Sequence, residues 1–267
     1  MKRSFLLLCA LLAGMTALAQ QQYRTVYDIG YSQDDDYAAE RCKLDVYYPE
    51  EAHDRPVVVW FHGGGMTGGS KSIPEQLQGK GIVVVAANYR LLPKATIDQC
   101  IDDAAAAVAW TFRHIGDYGG SPDKIFVAGH SAGGYLTDMI GLDKHWLAKY
   151  DIDADRIAAL VPYSGQVITH FAVRKARGME PTQPLVDEYA PLFHARPDAP
   201  PVIIISGDRN EELYGRYEET AYFWRILRLV GHPDVTMYEL DGYSHSAMAA
   251  PAHHILLKHI KRLRPDE

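Results

Sequence analysis

The chain is predicted to fold in the α/β class, as a mainly parallel central sheet with helices on both faces. Three observations carry this. First, short runs such as Val57-Val58-Val59-Trp60-Phe61 are β-branched or aromatic throughout, as strands buried on both faces are. Second, helix-length segments separate those runs, the pattern of βαβ units whose right-handed crossovers put helices on both sides of a sheet. Third, 267 residues with 47% hydrophobic and 23% charged side chains are an ordinary globular balance for one domain or at most two. We assign residues 20–267 to a single domain.

The elements follow in order. Residues 26–31 and 44–48 read as early strands, the second alternating apolar and polar, and 49–55 as a polar turn. Residues 57–61 and 82–87 are continuous apolar strands, and 97–112 is an Ala-rich amphipathic helix. A short strand at 124–128 leads into a glycine-rich turn, and helix is expected from Tyr135 onward. Core strands follow at 160–161 and 202–205, then a helix at 216–230 that stops at Gly231, a strand at 235–240 and a last helix at 249–263. The segment 166–197 has no clear period and holds Pro181, Pro184, Pro191 and Pro197. It is the natural place for a minimal lid or a substrate-contacting insertion. Asp34-Asp35-Asp36 reads as a solvated loop.

The N-terminus reads differently. Met1-Lys2-Arg3 is a basic start, the run from Ser4 to Ala19 carries no charge, and Ala17-Leu18-Ala19 has the small-x-small form of a signal-peptidase site. This is the pattern of a cleaved signal peptide over residues 1–19, which implies a periplasmic or secreted protein. The run is short for a transmembrane anchor, and no other apolar run is long enough to span a bilayer. Cleavage takes Lys2, Arg3 and Cys9 away and leaves two cysteines, Cys42 and Cys100. Two readings of that pair stand: a disulfide formed in an oxidising compartment, or two small buried hydrophobes. The net charge of −7 gives no electrostatic footprint for nucleic acid or anionic lipid, so no nucleic-acid partner is expected. There is no H-E-x-x-H and no cysteine pair at zinc spacing, so no metal is expected. No Walker-type loop is present, and no cofactor is implied.

In sheets of this class ligands bind beyond the carboxyl ends of the strands. Gly129-His130-Ser131-Ala132-Gly133-Gly134 follows the strand at 124–128 and fits G-x-S-x-G at a strand-to-helix turn. Glycines two positions either side of Ser131 let strand and helix pack closely, and the turn lifts the hydroxyl above the sheet edge. The Ala132 amide opens a helix, where the dipole favours negative charge. His62-Gly63-Gly64-Gly65 follows the strand at 57–61. Its amides, with that of Ala132, can hold an oxyanion, each donor being worth about 3 kcal/mol in a transition state. His62 reads as shaping the loop by a hydrogen bond. Of the 12 histidines, His245 alone stands in a glycine-containing loop between the last strand and the last helix, where a general base belongs. The acid that orients it should follow the strand at 202–205. Asp208 is nearest the strand end and is the first choice, with Glu211 and Glu212 as alternatives.

Taken together these residues resemble α/β-hydrolase esterases of the hormone-sensitive-lipase type, and more closely the bacterial carbohydrate esterases described as bifunctional acetylxylan/feruloyl esterases. The likeness runs from about Lys43 to Arg262. Its landmarks are Leu44-Asp45-Val46-Tyr47-Tyr48-Pro49, the His62 glycine run, Asn88-Tyr89-Arg90-Leu91, Asp102-Asp103-Ala104-Ala105 and the Ser131 turn. The resemblance implies Ser131 as nucleophile, His245 as base and oxyanion donors at Gly63, Gly64 and Ala132. It also implies a structural pairing of Arg90 with Asp102 or Asp103. The chain departs from the family where the catalytic Asp is expected, since that position is Asn210. Either another carboxylate substitutes or the triad is impaired. The expected activity is acyl-enzyme hydrolysis of a small ester or an acylated polysaccharide, with acetyl or feruloyl groups in view. Two alternatives stand beside it: an amide or peptide hydrolase of the same fold (formamidase-like or prolyl-peptidase-like), and a non-catalytic binding protein for which Asn210 is the support. Sequence says nothing of oligomeric state.

Overall fold

The computed structural model describes residues 21–180, 182–213 and 215–263. The expected signal peptide at residues 1–19 and Pro181 lie outside the described residues. Strand β1 (Tyr23–Gly30) is followed by helix α1 (Asp36–Arg41), β2 (Lys43–Pro49), β3 (Arg55–Phe61), β4 (Val83–Ala87) and α2 (Ile97–His114). Then come β5 (Gly120–His130), α3 (Ala132–Leu142), α4 (His145–Ala148), β6 (Ala159–Tyr163) and α5 (Phe171–Ala176). The chain closes with β7 (Val202–Gly207), α6 (Arg216–Leu229), β8 (Val235–Leu240) and α7 (Ala249–Leu263).

The strands form one sheet in the order β1-β2-β4-β3-β5-β6-β7-β8. β1 and β2 pair antiparallel at one edge, β2 meets β4 antiparallel, and the rest of the sheet is parallel. This is the α/β-hydrolase fold. Burial follows position in the sheet. β4 and β7 are buried along their whole length, whereas β8, an edge, is half-exposed throughout. Alternate side chains of β3 serve two cores, as the period of two in a strand requires. Val57, Val59 and Phe61 pack with Ile101, Ala104 and Val108 of α2, with α3, and with Phe223 and Leu227 of α6. Val58 and Trp60 face the other way, against Ala252, Leu256 and Ile260, the i, i+4, i+8 stripe of α7. Both faces of the sheet are therefore covered by helix.

Three departures from the sequence reading have local causes. The acidic run is exposed, as expected, but it also anchors structure and its last residue opens α1. Asp35 N-caps α1 by accepting from the Ala38 amide at 2.7 Å, and its other oxygen holds Nη1 of the buried Arg90 at 2.7 Å. Helix α3 begins immediately after Ser131, not at Tyr135, and β5 begins at Gly120. Helices α1, α4 and α5 are each too short to show a 3.6-residue period. Cys42 and Cys100 are both buried and unbridged, which selects the second reading of that pair. Burial drives both thiols upward, Cys100 to about 12. Among the described residues no helix is long and apolar enough to cross a membrane.

Candidate active site

Five neighbouring parallel strands, β3, β5, β6, β7 and β8, end on the same edge of the sheet, so the loops that follow them lie side by side. Ser131 occupies the sharp turn after β5, with φ +56° and ψ −114°, a conformation that a non-glycine residue adopts only when its surroundings impose it. The imposition is visible. A Cβ on Gly133 would lie 2.1 Å from the Phe61 carbonyl oxygen, so only glycine lets α3 approach β3 this closely. The Ser131 amide donates to the Tyr163 carbonyl at 2.8 Å, which ties the turn to β6.

The Ser131 hydroxyl lies 2.9 Å from Nε2 of His245, and Nδ1 of His245 lies 2.7 Å from Oε2 of Glu212. A carboxylate only accepts, so Nδ1 carries the proton and Nε2 is left to accept from the serine. Serine, histidine and glutamate thus form a continuous relay, with the Glu212 side chain 1% exposed. Burial raises the Glu212 pKa, but bonds from His245, from Ser164 and from the Gly207 amide outweigh it and bring it down to about 2.

The structure thus corrects the first choice of acid. Asp208 accepts from the Asn210 amide at 2.8 Å and from the Gly242 amide at 2.8 Å, and these bonds hold its pKa below the ordinary carboxylate value. Its role is to close the β7 loop onto the loop that carries His245. Asn210 adds its Nδ2 to the same carboxylate at 3.1 Å. Glu211 is exposed. The amides of Glu211 and Glu212 both donate to the Asp208 carbonyl, at 2.9 and 3.0 Å, so the chain makes one helical turn after β7. That turn brings residue 212 back over the strand end, and the longer Glu side chain spans the remaining gap. The Asn210 position therefore leaves the relay unbroken, and the support it lent to a non-catalytic protein falls away.

The glycine run sits against Ser131. A Cβ on Gly63 would lie 3.3 Å from Cβ of Ser131, and Gly64 has φ +118°, which is open to glycine. Ala132 is the first residue of α3, where a backbone amide has no helical partner. Gly63 and Ala132 thus border Ser131, and Gly64 follows Gly63 in the loop. His62 does shape the loop. Its Nδ1 donates to the Gly63 carbonyl at 2.7 Å, its Nε2 faces Nη2 of Arg41 at 3.3 Å, and burial lowers its pKa to about 4. His130, which sequence reading passed over, donates from Nε2 to the His245 carbonyl at 2.7 Å and so braces the loop that carries His245. Burial, then the neighbouring His245, lower the His130 pKa to about 4, which keeps it neutral.

The family model named BD-FAE matches residues 44–216. The chain belongs to the BD-FAE family. Among curated relatives it is similar to the probable carboxylic ester hydrolase LipM of Mycobacterium tuberculosis (strain ATCC 25618 / H37Rv). The identity is 30% over 216 residues, covering 72% of this chain and 49% of LipM. It is also similar to carboxylesterase NlhH of the same organism, 38% identical over 101 residues, which are 36% of this chain and 32% of NlhH. The chain spans about half, or less, of the length of these relatives. Among solved structures, a truncated carbohydrate esterase from gut microbiota superposes with TM-score 0.74 at 16% identity, over 92% of this chain and 98% of that one. Esterase Est2 of Thermogutta terrifontis superposes with TM-score 0.68 at 21% identity, over 92% and 93%. These two likenesses concern the fold.

The BD-FAE match covers β2 to the start of α6 and therefore includes Ser131 and Glu212 but stops before His245. Arg90 pairs with Asp103, through Nη2 at 2.6 Å and Nε at 2.8 Å, and Asp102 turns instead to Lys149 and Tyr150. A groove of about 810 Å³ adjoins the glycine run, lined by Leu92, Pro93, Ile97, Phe171 and Tyr189 among others. Neither Ser131 nor His245 lines it. Phe171, on its wall, borders the glycine run: its ring would lie 2.9 Å from a Cβ on Gly65. Phe171 belongs to α5, so part of the segment 166–197 does lie over the glycine loop.

Proposed function

We propose that this BD-FAE family member is a serine carboxylic-ester hydrolase that works through an acyl-enzyme. The observation that carries the proposal is the unbroken relay from Glu212 through His245 to Ser131. In the first half-reaction the Ser131 oxygen bonds to the ester carbonyl carbon and its proton passes to Nε2 of His245. The amides of Gly63, Gly64 and Ala132 receive the oxyanion. When the intermediate collapses, the carbon–oxygen bond to the alcohol breaks and His245 returns its proton to that oxygen. Water then repeats the sequence on the acyl-serine, releasing the carboxylic acid and restoring the enzyme. Glu212 keeps the imidazole in the required tautomer and stabilises the imidazolium in both halves.

For the substrate we propose an acylated polysaccharide, the acyl group being acetyl or feruloyl. The family name and the carbohydrate esterase among the structural neighbours support this reading, and the apolar groove beside the glycine loop has room for an aromatic ring. The signal-peptide pattern at residues 1–19 supports an exported enzyme, which would meet such polymers outside the cytoplasm. The test compares wild type with Ser131→Ala on 4-nitrophenyl acetate, acetylated xylan, methyl ferulate and an anilide. We expect wild type to turn over the esters, and Ser131→Ala to lose about a thousandfold or more. Retention of more than that thousandth by Ser131→Ala, or a preference for the anilide, would overturn the assignment.

A further inference from the structure

We infer that Ser164 is a positioning residue that acts through Glu212, as a fourth member of the relay. Its hydroxyl binds the carboxylate oxygen that faces away from His245 and draws charge from it. This rests on the relay assigned above.

Ser164 follows β6 directly and is fully buried. Its hydroxyl donates to Oε1 of Glu212, whose Oε2 is the oxygen on His245. The backbone around it is over-determined. Its φ is +46°, in the left-handed region, although it is not a glycine. Its amide donates to the Ile205 carbonyl at 2.7 Å, and its carbonyl accepts from Nη1 of the buried Arg216. Arg216 is in turn held by Glu219 at 2.9 Å. The next residue, Gly165, packs backbone to backbone on Gly134 of α3, where a Cβ would come within 2.7 Å. The preceding residue, Tyr163, accepts the Ser131 amide at 2.8 Å. The end of β6 therefore touches both ends of the relay. Strain maintained by this many contacts, at a hydroxyl aimed at a functional carboxylate, points to a role in function.

A glutamate has one more rotatable bond than an aspartate and needs more anchors to hold one geometry. Oε1 has two: the Ser164 hydroxyl and the Gly207 amide at 2.9 Å. Oε2 has the Leu213 amide at 3.2 Å besides His245. Removing the serine hydroxyl leaves the Gly207 anchor in place, so the carboxylate stays beside His245 with one donor fewer. A carboxylate with fewer donors is more basic and stabilises the imidazolium more strongly. Of the charged and titratable groups nearby, His130 at the end of β5 interacts with both members of the pair, while Arg216 at the start of α6 lies one contact further out, on the Ser164 carbonyl, with Glu219 as its partner. All three remain in the variants.

The test uses Ser164→Ala and Ser164→Gly in the whole chain. Alanine keeps the strained backbone and glycine relieves it, while both lack the hydroxyl. The readouts are kcat and KM for 4-nitrophenyl acetate across pH, and the titration of the His245 ring followed by NMR. In both variants we expect kcat to fall about tenfold, because a Glu212 side chain with one anchor fewer holds His245 in the productive geometry for less of the time, which outweighs its greater basicity, and KM to stay within about twofold. The acid limb and the His245 titration should both move upward by about half a unit or more. A merely structural serine would leave both midpoints unmoved. Midpoints that stay put, move downward, or recover wild-type values in Ser164→Gly would overturn the inference. If wild type turned over no ester, the assignment of function would fail, while the NMR titration would still decide whether Ser164 acts on the pair.

Discussion

Glu212 and Asp208 stand four residues apart in one loop, and their different fates follow from where a single turn of backbone places them. Asp208, at the strand end, is satisfied by two amides and has no lone pair aimed at His245. Glu212, one turn on, is swung back over Gly207 and meets the imidazole at 2.7 Å. A Cβ on Gly207 would come within 2.9 Å of Oε1 of Glu212, so a glycine at the end of β7 is what lets the carboxylate in. At this scale we expect Glu212→Gln to lower kcat by about 10³- to 10⁴-fold, because the amide cannot stabilise the imidazolium and can favour the wrong tautomer. Asp208→Asn and Glu211→Gln should each stay within about tenfold of wild type. Steady-state kinetics of the three variants at one pH decide this, and a larger loss in Asp208→Asn than in Glu212→Gln would return the role to Asp208.

Helix α3 starts just after Ser131 and is buried along its whole length, and it carries an anomaly. Asp138 is fully buried, and neither carboxyl oxygen has a hydrogen-bond partner among the described residues. Burial therefore drives its pKa well above the ordinary carboxylate value. A folded-state pKa above the unfolded one means stability is whole below the unfolded value and is lost as pH climbs toward the folded value. Asp138→Leu, which keeps the branched heavy-atom skeleton and removes the polar group, should stabilise the protein by about 1–3 kcal/mol at neutral pH. The gain should widen as pH rises above the unfolded carboxyl's range near 4, as urea midpoints would report. A gain independent of pH would mean the carboxyl keeps access to solvent. Arg90 shows the opposite solution on another element: buried too, it is matched by Asp103 of α2 and by the capping Asp35 of α1.

The whole molecule is one sheet with a core on each face, and neither core relies on a covalent staple. Cys42 and Cys100 each pack as small hydrophobes. After unfolding without reductant, both should react with Ellman's reagent, and reductant should leave the melting temperature unchanged within about 1 °C. In the native state burial should leave both nearly unreactive, since the thiolate is the reactive form and both pKa values are raised. Two blocked thiols in the unfolded, unreduced protein would contradict the structure. The same architecture sets where function can lie. Five parallel strands deliver the glycine run, Ser131, Ser164, Glu212 and His245 to one edge, although Gly63 and His245 are far apart in the chain.

The sequence by itself determined the α/β class, nearly every long element, and the positions of Ser131, His245 and the glycine run relative to strand ends. It could do so because these features are local: a continuous β-branched run, a helical period and a glycine turn each declare themselves within a few residues. Helices α1 and α5 escaped because six residues do not complete two turns. Tertiary structure alone decided which of three carboxylates meets His245, because that depends on the direction a turn takes after β7. It alone showed that Asp103 rather than Asp102 holds Arg90, and that the two cysteines stay apart. It alone brought Ser164, His130 and Arg216 to the relay. Contacts between residues so distant in sequence leave no periodic trace along the chain, since they are set by how strands pair and where their ends fall.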